Sequence, residues 1–154
     1  MIEIIPFEAK YADDFIQINL EWLDANHFTE PHDLLQLEHA QTEIIDKGGC
    51  IFLAKEGEQI VGSAALAYEG DGVYELAKMG VRPAFQGRGI SKLLLEACLQ
   101  AAKNLNAKKV ILFSNSKLTT AITLYGKYGF KHVPVADSHF TTADVKMELS
   151  LAHK

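Results

Sequence analysis

The chain has 154 residues and a mass of 17.0 kDa, with 48% hydrophobic and 23% charged residues. This size and balance are typical of one globular domain, so we expect a single domain over residues 1–154 and exclude collagen-like, low-complexity and disordered proteins. The 15 basic and 20 acidic residues give a net charge of -5. That charge argues against a nucleic-acid partner, because phosphate binding needs a dense basic face.

Membrane, secretory and metal-binding classes are also disfavoured. The chain has no apolar run close to the roughly 20 residues that span a bilayer, and its first residues lack the basic start of a signal peptide. Cys50 and Cys98 are too few for a disulfide framework. The six histidines show no metal-ligand spacing. We therefore expect a cytoplasmic protein with no membrane partner and no metal.

The first half of the chain predicts a strand, two helices and a three-stranded meander. Apolar side chains at helical spacing predict the first helix, and Asp33 is a candidate N-cap for the second. Glycines at positions 48 and 49 supply the left-handed conformation that ends the second helix. The predicted elements are a strand at 2–7 that Pro6 interrupts or ends, helices at 12–25 and 31–49, and strands at 50–55, 59–68 and 73–81.

The second half alternates helix and strand. After residue 89 the apolar period becomes helical, and the run of four apolar residues in 109–114 predicts a strand covered on both faces, as in parallel pairing. A further helix ends at Gly129, and residues 144–151 alternate as a last strand. This order predicts an α/β fold with a central mixed antiparallel and parallel sheet, flanked by about four helices.

Residues 79–91 (Met-Gly-Val-Arg-Pro-Ala-Phe-Gln-Gly-Arg-Gly-Ile-Ser) join a strand to a helix, and the helix begins directly after the two glycines at 87 and 89. Glycines let the main chain approach a ligand, and a helix N-terminus presents unpaired N–H groups. The segment is typical of a phosphate or pyrophosphate site, to which Arg88 adds a charge contact. It lacks the dinucleotide fingerprint and the Gly-Lys-Ser/Thr ending of the P-loop. The alternative is a tight turn and a helix cap with no ligand.

Two separated motifs in this half carry a family pattern. Met-x-Val-x-Pro at 79–83 leads into Gln-Gly-Arg-Gly-Ile-Ser at 86–91, where only Ser91 departs from the usual glycine or alanine. Leu-Tyr-Gly-Lys-Tyr-Gly-Phe at 124–130 follows a spaced set formed by Asn115, Leu118 and Ala121. Together they resemble the GNAT superfamily of acyl-CoA-dependent N-acetyltransferases, over about residues 50–135.

The resemblance implies a GNAT-like fold, acetyl-CoA (coenzyme A) as cosubstrate and an amine of a small molecule, peptide or protein as acceptor. It implies direct transfer in a ternary complex, with a main-chain N–H near Met79 as oxyanion donor. A homodimer through sheet edges or terminal strands is common in the family. The implied cofactor-binding residues are Met79, Gly80, Val81, Gln86, Gly87, Arg88, Gly89, Ile90, Ser91 and Asn115.

Two residues are candidates for acid–base catalysis. The resemblance puts Tyr125 near the thioester sulfur, where a phenol can deliver a proton to the leaving thiolate. From the residues alone, a core aromatic on the helix face is the favoured explanation. Glu75 is the candidate base, because strand alternation gives it one face with Val73, Ala77, Met79 and Val81. The alternatives are a bulge that turns Glu75 to solvent, and deprotonation through water.

A polar cluster between the first two helices is the candidate acceptor site. Its members are Glu30, His32 and Asp33, and in the resembled family this region often covers the acceptor amine. An acidic cluster would suit a cationic amine, and the alternative is helix capping beside a solvated loop. The predicted function is N-acetyl transfer, with a non-catalytic CoA-binding sensor as the alternative.

Overall fold

The structure is a computed structural model that describes residues 1–25, 31–135 and 143–151. Its strands are β1 (Ile2–Pro6), β2 (Cys50–Glu56), β3 (Gln59–Gly70), β4 (Val73–Val81), β5 (Lys109–Ser114), β6 (Lys131–Val133) and β7 (Val145–Ser150). Its α-helices are α1 (Ala12–Ala25), α2 (Pro31–Glu38), α3 (Ile90–Asn104) and α4 (Thr119–Lys127). Short helical turns lie at Ala9–Tyr11, Gln41–Ile45 and Pro83–Phe85.

The described strands form one sheet in the order β1-β2-β3-β4-β5-β7-β6. All neighbours pair antiparallel except β4 and β5, which run parallel and are connected through α3. The predicted mixed α/β sheet is therefore confirmed. The parallel pairing joins Val73–Glu75 to Lys109–Ile111 and stops there, so the two strands are not paired with each other toward their C-terminal ends.

The sheet has a hydrophobic core on each face. One core packs α3 against the sheet, with Leu94, Leu95 and Cys98 fully buried. The other packs α1 and the turn before β2 against the opposite face, through residues such as Phe15 and Ile44. Strands β2 and β3 contribute side chains to both cores. Strand β5 buries three successive apolar residues, so both of its faces are covered, as its continuous apolar run predicted.

The second helix ends earlier than predicted. The α-helical part of α2 stops at Glu38, and the chain then forms a π-turn in which the Asp46 N–H donates to the Gln41 carbonyl at 2.7 Å. A turn closed five residues apart is not visible in an apolar period. The predicted glycine ending is found at Gly48, with φ 102°. Gly49 is required for another reason, since a Cβ there would lie 2.1 Å from the Leu66 carbonyl oxygen.

Candidate functional site

A cleft of about 920 Å³ opens where β4 and β5 separate. Its walls are the C-terminal ends of both strands, the loop and first turn leading into α3, and one face of α4. The cleft brings together the sequence-predicted residues Glu75, Met79, Gly80, Val81, Gln86, Gly87, Gly89, Ile90, Ser91, Asn115 and Tyr125.

The start of α3 is suited to bind an anion. Gly87 and Gly89 have φ of 79° and 77°, and a Cβ at either would meet nothing within 4 Å. Glycine is thus needed here for the left-handed backbone, which other residues adopt rarely. Gly89 is the N-cap residue and no side chain caps the helix. The first helical bond is Leu93 N–H to the Gly89 carbonyl, at 3.3 Å, so the preceding N–H groups have no intrahelical acceptor.

Two side chains of this loop, those of Gln86 and Arg88, make contacts within the protein. The Gln86 amide donates to the Val81 carbonyl at 3.1 Å, which holds the loop against the end of β4. Arg88 does not line the cleft: its guanidinium pairs with Glu56 and lies 5.3 Å from the centre of the Phe85 ring. The charge contact predicted for Arg88 stays a prediction, which would require the guanidinium to leave Glu56. Lys92, in the first turn of α3, is the cation that lines the cleft there. Sequence reasoning missed it, although a lysine one turn after the glycines was a usable signal.

A β-bulge shapes the β4 wall of the cleft. Ser63 pairs with Gly80 and Ala65 pairs with Ala77, so two β4 residues lie opposite one residue of β3. Lys78 takes up the extra length with φ 54°, a conformation unusual for a residue other than glycine. The register between β3 and β4 passes over Met79, and no pair of β4 with β5 is described beyond Glu75. Met79 lines the cleft, so its main chain is placed where a ligand can meet it.

The bulge corrects the predicted face of Glu75. Met79 and Val81 pack in the core on the α3 side, which also contains Tyr74 and Leu76. The reason is that the extra residue in β4 moves the side chains of all later residues to the opposite face of the strand. The strict alternation that grouped Glu75 with Met79 and Val81 was wrong. The alternative was also wrong, since Glu75 is 5% exposed rather than turned to solvent. Glu75 lines the cleft at the last position where β4 pairs with β5.

The end of α4 fixes Tyr125. Gly129 adopts φ 96°, the Phe130 N–H donates to the Tyr125 carbonyl at 3.2 Å, and the Gly129 N–H donates to the Gly126 carbonyl at 3.1 Å. These are the two bonds of a Schellman motif, and its usual hydrophobic contact is made by the Tyr125 and Phe130 rings, 5.9 Å apart. The Leu-Tyr-Gly-Lys-Tyr-Gly-Phe motif is thus a helix ending that orients a tyrosine.

Tyr125 is a buried phenol that keeps its proton. Burial, with a smaller contribution from nearby Cys98, raises the pKa of Tyr125 to about 12. The hydroxyl-bearing side chain lines the cleft with Glu75. The pKa of Tyr128 is also raised to about 12, by desolvation and by its hydrogen bond of 2.7 Å to Glu96. Tyr128 does not line the cleft.

The loop after β5 is anchored by a residue that sequence reasoning missed. Asp144 accepts from the Ser116 N–H at 2.8 Å and from the Ser116 hydroxyl at 2.7 Å. These bonds lower the pKa of the Asp144 carboxyl. Beside them, Asn115 accepts from the Lys117 N–H at 3.0 Å and lines the cleft. No local pattern could link residues 28 positions apart.

The α1 side of the cleft is lined by Asn19, Leu23 and Lys78. Of the predicted acceptor cluster, Glu30 lies outside the described residues, as do the side chains of His32 and Asp33. Over the described part of the chain, no group of three or more histidine, cysteine, aspartate or glutamate side chains is arranged to hold a metal ion. No helix in that part is long and apolar enough to cross a bilayer.

Known proteins share this sequence pattern. The chain is 34% identical over 108 residues to the N-acetylaspartate synthetase of Rattus norvegicus, covering 70% of this chain and 35% of that protein. It is 31% identical over 135 residues to the mycothiol acetyltransferase of Corynebacterium glutamicum (strain R), covering 87% of this chain and 45% of that protein. The chain therefore spans less than half the length of these relatives.

Solved structures share the fold. The acetyltransferase of the GNAT family from Staphylococcus aureus Mu50 matches with a TM-score of 0.88 at 22% identity, over 99% of this chain and 100% of that one. The PaiA N-acetyltransferase of Thermoplasma acidophilum, solved in complex with coenzyme A, matches with a TM-score of 0.77 at 18% identity, over 97% and 99% of the two chains.

A family model settles the resemblance. The model of the Acetyltransferase (GNAT) family matches residues 13–130, which include all of α1 but its first residue, both glycine motifs and the described cleft wall from β4 to α4. The expected family resemblance is confirmed. The chain belongs to the GNAT acetyltransferase family.

Proposed function

We propose that the chain is an N-acetyltransferase that moves an acetyl group from acetyl-CoA to a primary amine, by direct transfer in a ternary complex. The observation that carries this proposal is the continuity of one cleft. It runs from the uncapped N-terminus of α3 to the buried Tyr125 and Glu75. A site for an anion and a pair of acid–base groups are thereby joined in one cavity.

The residues of this cleft fit the chemistry of acetyl-CoA, which supplies a diphosphate and an activated thioester when bound. The diphosphate would lie at the amides of residues 86–91, where the left-handed glycines leave open space and the helix N-terminus favours negative charge. The pantetheine arm would lie along the β4 main chain near Met79, which has no strand partner there. Asn115, at the end of β5, would contact the same arm.

The acid and base roles are assigned to two titratable groups of the cleft, Tyr125 and Glu75. Tyr125 holds a proton on its hydroxyl at physiological pH, because burial raises its pKa to about 12, and that hydroxyl can donate a hydrogen bond to the leaving sulfur. Glu75 can accept a proton from the acceptor amine, whose ammonium form is not a nucleophile. Neither Cys50 nor Cys98 lines the cleft, which supports direct transfer over an acyl-cysteine step.

The acceptor is an amine, and the α1 side of the cleft is where it would enter. That side carries buried polar groups, Asn19 and Lys78, next to Glu75. Relatives named for the synthesis of N-acetylaspartate and the acetylation of mycothiol support a small-molecule acceptor.

Release of free thiol from acetyl-CoA with a panel of amines tests the proposal. The panel includes aspartate, a lysine derivative and a short peptide, and binding of coenzyme A is measured separately by calorimetry. Turnover on one amine supports the transferase. Binding of coenzyme A without turnover on any acceptor would instead favour a CoA-binding sensor.

A further inference from the structure

A buried chain of hydrogen bonds links α1 to the bulge of β4. The Asn19 side-chain amide donates to the Ser63 hydroxyl oxygen at 3.0 Å and to the Phe15 carbonyl at 2.9 Å. The Ser63 hydroxyl in turn donates to the Lys78 carbonyl at 2.6 Å. Ser63 is fully buried and Asn19 is 4% exposed. Their polar groups are therefore hydrogen-bonded within the protein, as burial requires.

The series of hydrogen bonds ends at the carbonyl of Lys78, a residue of the cleft wall with an unusual backbone conformation. Lys78 has φ 54°, in the left-handed region that residues with a Cβ rarely occupy outside asparagine and aspartate. Such conformations persist where the surroundings enforce them, and they concentrate at functional sites. A short bond from a buried hydroxyl to the carbonyl of the same residue is a direct means of enforcing it.

We propose that Asn19 and Ser63 are positioning residues of the transferase site. They hold Lys78 in its left-handed conformation, which keeps the bulge formed and the main chain of Met79 turned toward the cleft. The catalytic part of this inference rests on the proposed function. The conformational part does not, because it concerns the folded chain alone.

A double-mutant cycle on stability tests the conformational part. Glycine adopts a positive φ without strain, so the Lys78→Gly variant no longer needs the hydroxyl of Ser63 to hold its backbone. The matched control is Lys78→Ala, which removes the same side chain but keeps a Cβ. The readout is the denaturant midpoint of each variant with and without Ser63→Ala.

We expect Ser63→Ala to lower the midpoint less in the Lys78→Gly protein than in the Lys78→Ala protein. Equal losses in the two proteins would overturn the inference, because they would mean that the packing and hydrogen bonds of Ser63 stabilise the fold without holding the backbone conformation of Lys78. This readout needs no substrate. It therefore decides the inference even if no amine is acetylated and the proposed function fails.

The catalytic part is tested by kinetics on an accepted amine. Misplacing a catalytic main-chain group by about 1 Å can slow turnover by about 100-fold, so we expect Ser63→Ala to lower kcat by roughly 10- to 100-fold with little change in the KM for acetyl-CoA. Asn19→Leu should act in the same direction. Ser63→Ala should lower kcat by a smaller factor in the Lys78→Gly protein than in the Lys78→Ala protein. A Ser63→Ala enzyme with the kcat of the wild type would overturn the positioning role.

Discussion

Replacing Tyr125 by phenylalanine tests the acid with little disturbance of packing, because phenylalanine keeps the ring that contacts Phe130. The pKa of Tyr125 is about 12 and that of a free thiol is about 8.5, so complete proton transfer to the sulfur is uphill by roughly 5 kcal/mol. We therefore expect the hydroxyl to act mainly by donating a hydrogen bond to the developing thiolate. Such a bond contributes about 1.5–3 kcal/mol, so kcat should fall by about 10- to 150-fold.

The assay is thiol release from acetyl-CoA at saturating amine, measured from neutral pH to about pH 10. Because the pKa of Tyr125 lies near 12, its proton is retained throughout this range, and wild-type kcat should not decline as pH approaches 10. Tyr128→Phe is the matched control, since it removes the same hydroxyl from a tyrosine outside the cleft. Equal turnover by wild type and Tyr125→Phe, or a wild-type decline with an apparent pKa near 10, would refute the reasoning.

Three further predictions concern the loop, the base and the helix ending. Gly89→Glu should abolish coenzyme A binding in calorimetry through crowding and charge. Its control is Gly57→Glu, which lies at an equally open left-handed turn outside the cleft lining and should bind coenzyme A normally. Retained affinity in the Gly89→Glu variant would mean that the loop is not the diphosphate site. Glu75→Gln should lower kcat by about 100- to 10,000-fold near neutral pH, and the deficit should shrink as pH approaches the ammonium pKa of about 10; a deficit that does not change with pH contradicts a base role. Gly129→Ala, at φ 96°, should destabilise the fold by about 1–2 kcal/mol in denaturant titrations. Its control, Gly126→Ala, lies inside the helix with open space around it and should stabilise the fold by about 0.5–1 kcal/mol. Equal effects of the two substitutions would argue against the left-handed helix ending.

Local patterns in the sequence were enough to predict the sheet and the glycine motifs. The apolar run of β5 predicted burial on both faces, and Gly129 predicted the end of α4, because periodicity and left-handed backbone are properties of a few neighbouring residues. The strand bounds differ from the prediction by about two residues at most, apart from the short β6, for which no bounds were predicted.

The parts of the site that the sequence could not predict depend on contacts between distant residues. The left-handed conformation of Lys78 follows from a hydroxyl 15 positions away, and nothing in the identity of a lysine signals it. The bulge it forms reverses the faces of Met79 and Val81, which simple alternation assigns wrongly. In the same way, the carboxylate that pairs with Arg88 is 32 positions away, and no local pattern indicates that pairing.

The junction between β4 and β5 has a mechanical consequence. Three residue pairs are the whole of the ladder between these strands, so the sheet consists of a four-stranded half and a three-stranded half joined by a short seam. A ligand bound in the cleft contacts both halves of the sheet, and its contacts add to the three residue pairs between β4 and β5. Ligand binding should therefore raise the thermal stability of the chain by mass action, and in its absence hydrogen exchange should be fastest along the margins of the opening.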